Sequence, residues 1–138
     1  MDAHPHPKSE RERERAIEDV MTLQPVTIGR DQTLAVAHAL MRKHGIRHLP
    51  VLDRGELVGV VTQRDLYFLE TIAGIDLGAD VVDDAMSVDV YAVPPGTPIR
   101  DVARTMHDRR LGCAVVIERE RVIGIFTATD ALRILARR

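Results

Sequence analysis

Apolar and polar residues follow a pattern along this chain that repeats after 65 positions. With this shift, residues 17–73 align with residues 82–138 without a gap. Identical residues are few, but the order of apolar and polar positions agrees almost throughout. Self-similarity at a fixed period indicates two copies of one structural unit.

Each copy predicts the same order of elements. A short extended segment, residues 25–28 or 90–93, precedes an amphipathic helix whose apolar positions recur with a 3.6-residue period. Two apolar runs joined by a tight polar turn then predict a β-hairpin, and a second helix closes the copy. The first helices carry the apolar stripes Leu34, Ala37, Leu40 and Met41, and Ile99, Val102, Ala103 and Met106. The hairpins cover residues 49–62 and 114–127, and the second helices cover residues 62–72 and 127–136.

The fold class that this order predicts is α+β, with two β-α-β-β-α repeats packed with pseudo-two-fold symmetry. The strands are apolar almost continuously, which is typical of sheets buried on both faces. A unit this small cannot bury both faces of its sheet alone, so we expect the two copies to pack together. The predicted organisation is a disordered tail and N-terminal helix over 1–16, repeats over 17–73 and 82–138, and a linker over 74–81.

Composition narrows the class of protein further. Of the 138 residues, 45% are hydrophobic and 29% charged, which excludes a low-complexity chain. A formal charge of −2 argues against binding to nucleic acid or to an anionic membrane. The chain shows no apolar stretch typical of a signal peptide or a membrane span, so we expect a cytoplasmic protein. The single cysteine, Cys113, excludes an intrachain disulfide and a cysteine-based zinc site.

The best-preserved motif of the repeat is Gly-x-x-Thr-x-x-Asp. It occurs as Gly59, Thr62 and Asp65, and again as Gly124, Thr127 and Asp130. The Thr and Asp spacing is that of a helix N-cap, which is one complete explanation of the motif. The same geometry also sets a carboxylate and backbone N–H groups at a helix start, where they can bind a vicinal diol and a phosphate. Both explanations stay open at this stage.

Catalysis and metal binding are not predicted. Neither of the two serines, Ser9 and Ser87, lies in a nucleophile elbow, and the chain has no glycine-rich phosphate loop. His44 and His48 are four residues apart, but Gly45 is expected to end the helix between them. We therefore expect no enzyme activity and no resident metal or cofactor.

The motif residues and their surroundings resemble a tandem pair of CBS domains (a Bateman module). The resemblance rests on residues 20–22, 44–53 and 59–66 in the first copy and on residues 85–87 and 124–130 in the second. It covers nearly the whole chain, from about residue 17 to residue 136. The second copy departs from the family pattern at Ala114 and Val115, where the family has Leu-Pro.

This resemblance implies a regulatory module that binds AMP, ADP, ATP or another adenosine derivative in two clefts between the repeats. In such proteins the aspartate holds the ribose, and each cleft combines the helix start of one repeat with early segments of the other. One site would use Thr127, Thr129 and Asp130 with Gln24, Val26, Ile46, Arg47 and His48. The other would use Thr62, Arg64 and Asp65 with Asp89, Tyr91, Leu111, Gly112 and Cys113.

The resemblance also implies partners. Such pairs usually form homodimers through their helices. Here the second helices offer apolar residues for that contact, namely Leu66, Phe68, Leu69 and Ile72, and Leu132, Ile134 and Leu135. The candidate phosphate ligands are Arg47, His48, Arg64, Arg109 and Arg110. Arg109 and Arg110 equally suit the negative end of a helix. A signal would act on a separate, unidentified protein. The alternative is a ligand-free interaction module in which Thr-x-x-Asp acts only as a helix cap.

Overall fold

The computed structural model describes residues 15–137 of the chain. The predicted disordered tail and most of the predicted N-terminal helix lie outside these residues. No helix in the described part is long and apolar enough to cross a membrane. The helices are α1 (Leu34–His44), α2 (Gln63–Glu70), α3 (Ile99–Arg109) and α4 (Ala128–Ala136), and 3-10 helices span Ile17–Asp19 and Val82–Asp84. The strands are β1 (Thr22–Leu23), β2 (Ile28–Gly29), β3 (His48–Asp53), β4 (Glu56–Thr62), β5 (Ala92–Val93), β6 (Cys113–Glu118) and β7 (Arg121–Thr127).

The two repeats adopt the predicted α+β fold. In each, a short strand leads into a helix that returns the chain to a parallel neighbouring strand, and a hairpin and a second helix follow. Helix α1 begins at Thr33, whose hydroxyl accepts a hydrogen bond from the backbone N–H of Val36 at 3.2 Å. It ends at Gly45, which has a left-handed φ of 63° and confirms the predicted C-cap.

The strands form two sheets. One has the order β2-β3-β4, and the other has the order β1-β7-β6-β5. Strand β1 pairs antiparallel with β7, at the edge away from β5. At the equivalent edge of the other sheet, Ser87 forms an antiparallel bridge with Val60. Both sheets therefore have the same four-part order, although the Ser87 segment is too short to count as a strand.

The chain divides into two compact units that do not coincide with the sequence repeats. The repeat-1 unit comprises Gln24–Val90 and the turn Arg119–Val122. The repeat-2 unit comprises Tyr91–Glu118, the rest of the chain after the turn, and the residues up to Leu23. The segment that begins each repeat in the sequence therefore belongs to the unit built by the other repeat.

Each exchanged segment enters a core. In the repeat-2 unit, Ile17 is fully buried among Val93, Val102, Val116 and Phe126, and its N–H donates to Thr97. In the repeat-1 unit, Val82 is fully buried in a core that contains Leu34, Leu49, Val51 and Leu66. Its N–H donates to Gln32 in the same way. Because Ile17 and Val82 are equivalent positions, the exchange is reciprocal.

The predicted apolar stripes form most of the helix contacts. Leu34, Ala37 and Met41 of α1 are buried, as are Val102 and Met106 of α3. Leu40 and Ile99 pack at the margins of the two cores. Ala103 was expected in the stripe of α3, but it is exposed. It lies at the edge of the stripe, where a methyl group is too short to reach the core.

Candidate functional site

Both Thr-x-x-Asp motifs lie where the last strand of a hairpin enters the second helix. Thr62 is the N-cap of α2, and its hydroxyl accepts from the N–H of Asp65 at 3.0 Å. One carboxylate oxygen of Asp65, Oδ2, accepts from the N–H of Thr62 at 2.9 Å. These reciprocal bonds form a capping box. Among residues 15–137, nothing donates to the other oxygen, Oδ1, of the half-buried Asp65.

The second motif has the same capping box with two additional contacts. Asp130 Oδ2 accepts from the N–H of Thr127 at 2.9 Å, and the hydroxyl of Thr127 lies 3.1 Å away. Its Oδ1 accepts from the guanidinium of Arg133 at 2.9 Å. Asp130 is 6% exposed, so its carboxylate is buried and all of its oxygens are occupied. The two aspartates are thus equivalent in backbone position but not in their hydrogen bonds.

The glycine of each motif makes room for a methionine of the exchanged segment. A Cβ built on Gly59 would lie 2.7 Å from Met86 Sδ and 2.8 Å from the carbonyl oxygen of Ser87. A Cβ on Gly124 would collide with the side chain of Met21. Heavy atoms cannot approach so closely, so only glycine fits without a shift. The glycine therefore serves the packing of the unit, and the threonine and aspartate form the cap.

In the repeat-1 unit, two predicted cationic residues lie beside the start of α2. The carbonyl of Arg47 accepts from the N–H of Gln63 at 2.9 Å, and His48 pairs with Thr62 across the β3–β4 ladder. Burial, followed by the nearby charge of Arg47, lowers the pKa of His48 below its usual value of 6.5. The Arg47 and Arg64 side chains are exposed. Both are therefore able to meet an anion from solvent.

The equivalent place in the repeat-2 unit is less polar. The carbonyl of Gly112 accepts from the N–H of Ala128 at 3.1 Å, next to Thr127. Cys113, which occupies the position of His48, begins β6 and is buried. Burial raises the pKa of its thiol from 9.0 to about 11, so the thiol is protonated at neutral pH. Leu111 packs against the core of this unit, and Thr129 is exposed at the helix start.

The remaining predicted residues are divided between the two units. In the repeat-1 unit, Ile46 and Val26 pack against the core, Asp89 is exposed, and Gln24 has a left-handed φ of 48°. In the repeat-2 unit, Tyr91 lies beneath the Arg109 guanidinium, 5.7 Å from the ring centroid. Arg110 ends helix α3 with a left-handed φ of 56°. Each predicted set combines residues of both units, and the two sets stay a prediction.

The repeat-2 unit also contains a cavity of about 510 Å³ beside Asp130. It is lined by three arginines (Arg15, Arg133, Arg137), two aspartates (Asp19, Asp130) and apolar side chains. Its volume is within the range of small-molecule sites. The repeat pattern does not reveal these arginines, because it compares only positions that the two copies share. The signal in the sequence is the spacing of Arg133 and Arg137, which lie three and seven residues after Asp130 on the same helix face.

Within residues 15–137, no group of three or more His, Cys, Asp or Glu side chains is arranged to hold a metal ion. The polar groups at the helix starts are instead suited to organic ligands. A carboxylate accepts from hydroxyl groups, a helix N-terminus favours an anion, and arginine pairs with phosphate.

Comparison with known proteins agrees with this architecture. The family described as "CBS domain" matches residues 17–69 and 81–137. The CBS domain-containing protein YhcV of Bacillus subtilis is 28% identical over 115 residues, which are 83% of this chain and 81% of that protein. A crystal structure named as an acetoin utilization protein (AcuB) from Vibrio cholerae is 31% identical, with a TM-score of 0.81, over 89% of this chain and 91% of that one.

A second similar structure contains bound ligands. The CBS domain pair of protein MJ0100, in complex with 5′-methylthioadenosine and S-adenosyl-L-methionine, is 25% identical with a TM-score of 0.78. The match covers 88% of this chain and 99% of that one. The repeated fold, the repeated motif and the two family matches agree with one another. The chain therefore belongs to the CBS domain family and carries two CBS domains in tandem.

Proposed function

We propose that this protein is a regulatory module that binds an adenosine-containing nucleotide at its Thr-x-x-Asp helix starts and signals to a partner protein. The observation that carries the proposal is the carboxylate of Asp65. Its capping box leaves Oδ1 without a donor in the described part of the chain, beside the N-terminus of α2. A helix cap alone needs only one of the two carboxylate oxygens.

The chemistry of the helix start suits a ribose joined to a phosphate. Asp65 Oδ1 can accept from the two vicinal hydroxyls of a ribose, while Oδ2 keeps its bond to Thr62. The first N–H groups of α2 and the exposed guanidinium groups of Arg47 and Arg64 favour an anion nearby. The complex of the MJ0100 domain pair with two adenosine compounds supports this ligand class.

Regulation follows if the ligand binds two states of the protein with different affinities. A nucleotide that contacts residues of both repeats would favour one arrangement of the repeats over another. The proposal includes no catalytic step. The response would be transmitted to the unidentified partner protein.

The test is a thermal-melt screen of the purified protein against AMP, ADP, ATP, S-adenosylmethionine and 5′-methylthioadenosine. At a ligand concentration of about 100 times Kd, one site adds about 2.7 kcal/mol. For a chain of this size, we expect a rise in Tm of roughly 5–10 °C. The rise should shrink in Asp65→Asn or Asp130→Asn and persist in Asp101→Asn. Asp101 is the matched control because it also lies in the first turn of a helix, α3, but away from both motifs.

The alternative is that both motifs act only as helix caps and that the module is purely an interaction domain. It predicts that no adenosine compound changes Tm and that each substitution of the two motif aspartates costs about 1 kcal/mol of stability. A flat screen with such a loss would contradict nucleotide binding and favour this alternative.

We also propose that the protein forms a homodimer through its second helices. Of the apolar residues expected there, Phe68, Leu132 and Leu135 are 70%, 66% and 63% exposed, whereas Leu66 is buried in the repeat-1 core. Large apolar side chains in such numbers on two helices are typical of a protein interface. Light scattering should give a mass of about twice 15.4 kDa, and Phe68→Glu with Leu132→Glu should return it to that of one chain.

A further inference from the structure

The two aspartates of the motif differ in what occupies their Oδ1 atoms. In the repeat-2 unit, Arg133 donates to Asp130 Oδ1 at 2.9 Å, and the carboxylate is buried. In the repeat-1 unit, the position equivalent to Arg133 is Phe68, whose exposed side chain has no polar group that could donate to Asp65. A ribose can therefore reach Asp65 without breaking an ion pair, whereas at Asp130 it must first displace Arg133.

Beside Asp130, arginine side chains also line a cavity. The 510 Å³ cavity beside Asp130 has the guanidinium groups of Arg15, Arg133 and Arg137 in its wall. Asp19, the other acid there, already accepts a hydrogen bond from the N–H of Ala16 at 3.2 Å. At the repeat-1 position equivalent to Arg137, the chain has Ile72. The cavity therefore offers several donors to one anionic group.

Displacement of Arg133 has a cost that depends on the ligand. Removing the guanidinium from a buried carboxylate breaks a charge-assisted hydrogen bond, which is among the stronger hydrogen bonds of a protein. The side chain of Arg133 is 53% exposed, so it is able to turn into the cavity. If the ligand carries a phosphate, the guanidinium gains a new anionic partner. If the ligand lacks a phosphate, the ion pair is lost without replacement.

We propose that Arg133 makes the Asp130 site selective for phosphorylated adenosine ligands. When such a ligand binds, the ribose hydroxyls replace Arg133 on Asp130 Oδ1, and Arg133 pairs with the phosphate in the cavity. This inference rests on the proposed function, and it adds a ligand preference and a determinant of specificity to one of its two sites. The Asp65 site has no equivalent of Arg133 and does not impose this requirement.

The experiment is isothermal titration calorimetry of ATP and of 5′-methylthioadenosine, which has the ribose hydroxyls but no phosphate. Asp65→Asn serves as the background, so that the Asp130 site dominates the signal. In this background we expect ATP to bind roughly tenfold or more tightly than 5′-methylthioadenosine, as the loss of one charge-assisted bond implies. In Asp65→Asn with Arg133→Gln, the affinity for ATP should fall, and the affinity for 5′-methylthioadenosine should stay or rise. The preference should then largely disappear.

Two further variants control for a purely structural effect. Arg104→Gln removes an exposed arginine of α3 that lies outside the cavity, and it should leave the preference unchanged. Phe68→Arg, with Asp65 intact and Asp130→Asn as its background, should increase the preference for ATP at the first site. Light scattering must show an unchanged oligomeric state in this variant, because Phe68 also lies in the proposed dimer face. A preference that survives Arg133→Gln, or a loss of both ligands in equal proportion, would overturn the inference.

Inorganic tripolyphosphate tests whether the cavity binds any polyphosphate or only a polyphosphate that is joined to adenosine. Competition with ATP that depends on Arg133 supports an anion site shared by free polyphosphate and nucleotide. Binding of tripolyphosphate without binding of any adenosine compound would contradict the proposed function, while it would leave Arg133 as an anion ligand. Binding of 5′-methylthioadenosine that is as tight as that of ATP supports the proposed function and contradicts the selectivity.

Discussion

The starts of helices α2 and α4 have the same backbone and different chemistry. Both have a threonine N-cap and a capping box, and both lie at the end of a hairpin whose glycine accommodates a methionine. At α2 the aspartate keeps one acceptor available, and Phe68 lies where α4 has Arg133. The two copies therefore share the cap and differ in the side chains beside it.

This comparison separates the positions that stabilise the helix start from those that can determine which ligand is preferred. Positions that the two copies share, such as Thr62 and Thr127, stabilise the helix start and are explained by capping. Other positions beside the cap differ between the copies. Arg133 and Arg137 are such positions, and they line a cavity. The residues that distinguish two ligands are accordingly expected among the differences rather than among the identities.

The largest predicted change in the free energy of unfolding concerns the two exchanged segments, which contain Ile17 and Val82. Ile17→Ala removes a fully buried side chain from the repeat-2 core and should lower the free energy of unfolding by about 2–5 kcal/mol. Val82→Ala should have a smaller effect in the repeat-1 core, because one carbon atom fewer is removed. Urea denaturation followed by circular dichroism measures both. Val88→Ala, at a position that is 75% exposed, is the control. Equal stability of Ile17→Ala and the parent protein would refute the exchanged packing.

The second prediction concerns the pH dependence of stability. His48 and Cys113 begin β3 and β6 at equivalent positions, and their pKa values are shifted in opposite directions. His48 has a lowered pKa, so the unfolded state binds more protons and stability should decline as pH falls below 6.5. Cys113 has a raised pKa, so stability should decline as pH rises from 9.0 towards about 11. Urea midpoints measured from pH 5 to pH 10.5 show both slopes. His48→Gln should remove only the acid slope, and Cys113→Ala only the alkaline one.

The raised pKa of Cys113 also protects its thiol from alkylation. A rise from 9.0 to about 11 lowers the thiolate fraction at pH 8 by about 100-fold. Alkylation of Cys113 by iodoacetamide should therefore be slower by at least that factor in the native protein than in urea. Equal rates in the two conditions would show that the thiol is not buried.

The smallest effect concerns the two hairpin turns. The first has Arg54 and Gly55 at left-handed φ values of 54° and 84°, which glycine adopts without strain. The second has Arg119 and Glu120 at 53° and 65°, and neither is a glycine. Glu120→Gly should raise the free energy of unfolding by up to about 1 kcal/mol, because it relieves an unfavourable backbone conformation. Gly55→Ala should lower it, and a loss of stability in Glu120→Gly would contradict this reading of the turn.

The sequence was sufficient to predict the fold class, the order of the elements and the capping role of Thr62 and Thr127. Periodicity and the 65-residue repeat report local preferences, and those preferences agree with the structure. The exchange of Ile17 and Val82 could not be predicted, because the repeat shows which segments are alike but not which partner each one packs against. The availability of Asp65 Oδ1 and the ion pair of Asp130 depend on side-chain positions, which one motif shared by both copies cannot distinguish. The cationic cavity depends on residues that are distant in sequence, Arg15 and Arg137.

One NMR titration tests the difference between the two helix starts most directly. The backbone amides of residues 62–65 and 127–130 and the Nε–H of Arg133 are followed while ATP or 5′-methylthioadenosine is added to the same sample. We predict that ATP shifts residues 127–130 together with Arg133 Nε–H, and that 5′-methylthioadenosine shifts residues 62–65 at lower concentration than residues 127–130. If both ligands shift the two helix starts in the same order, or if saturating ATP moves neither, the account is contradicted.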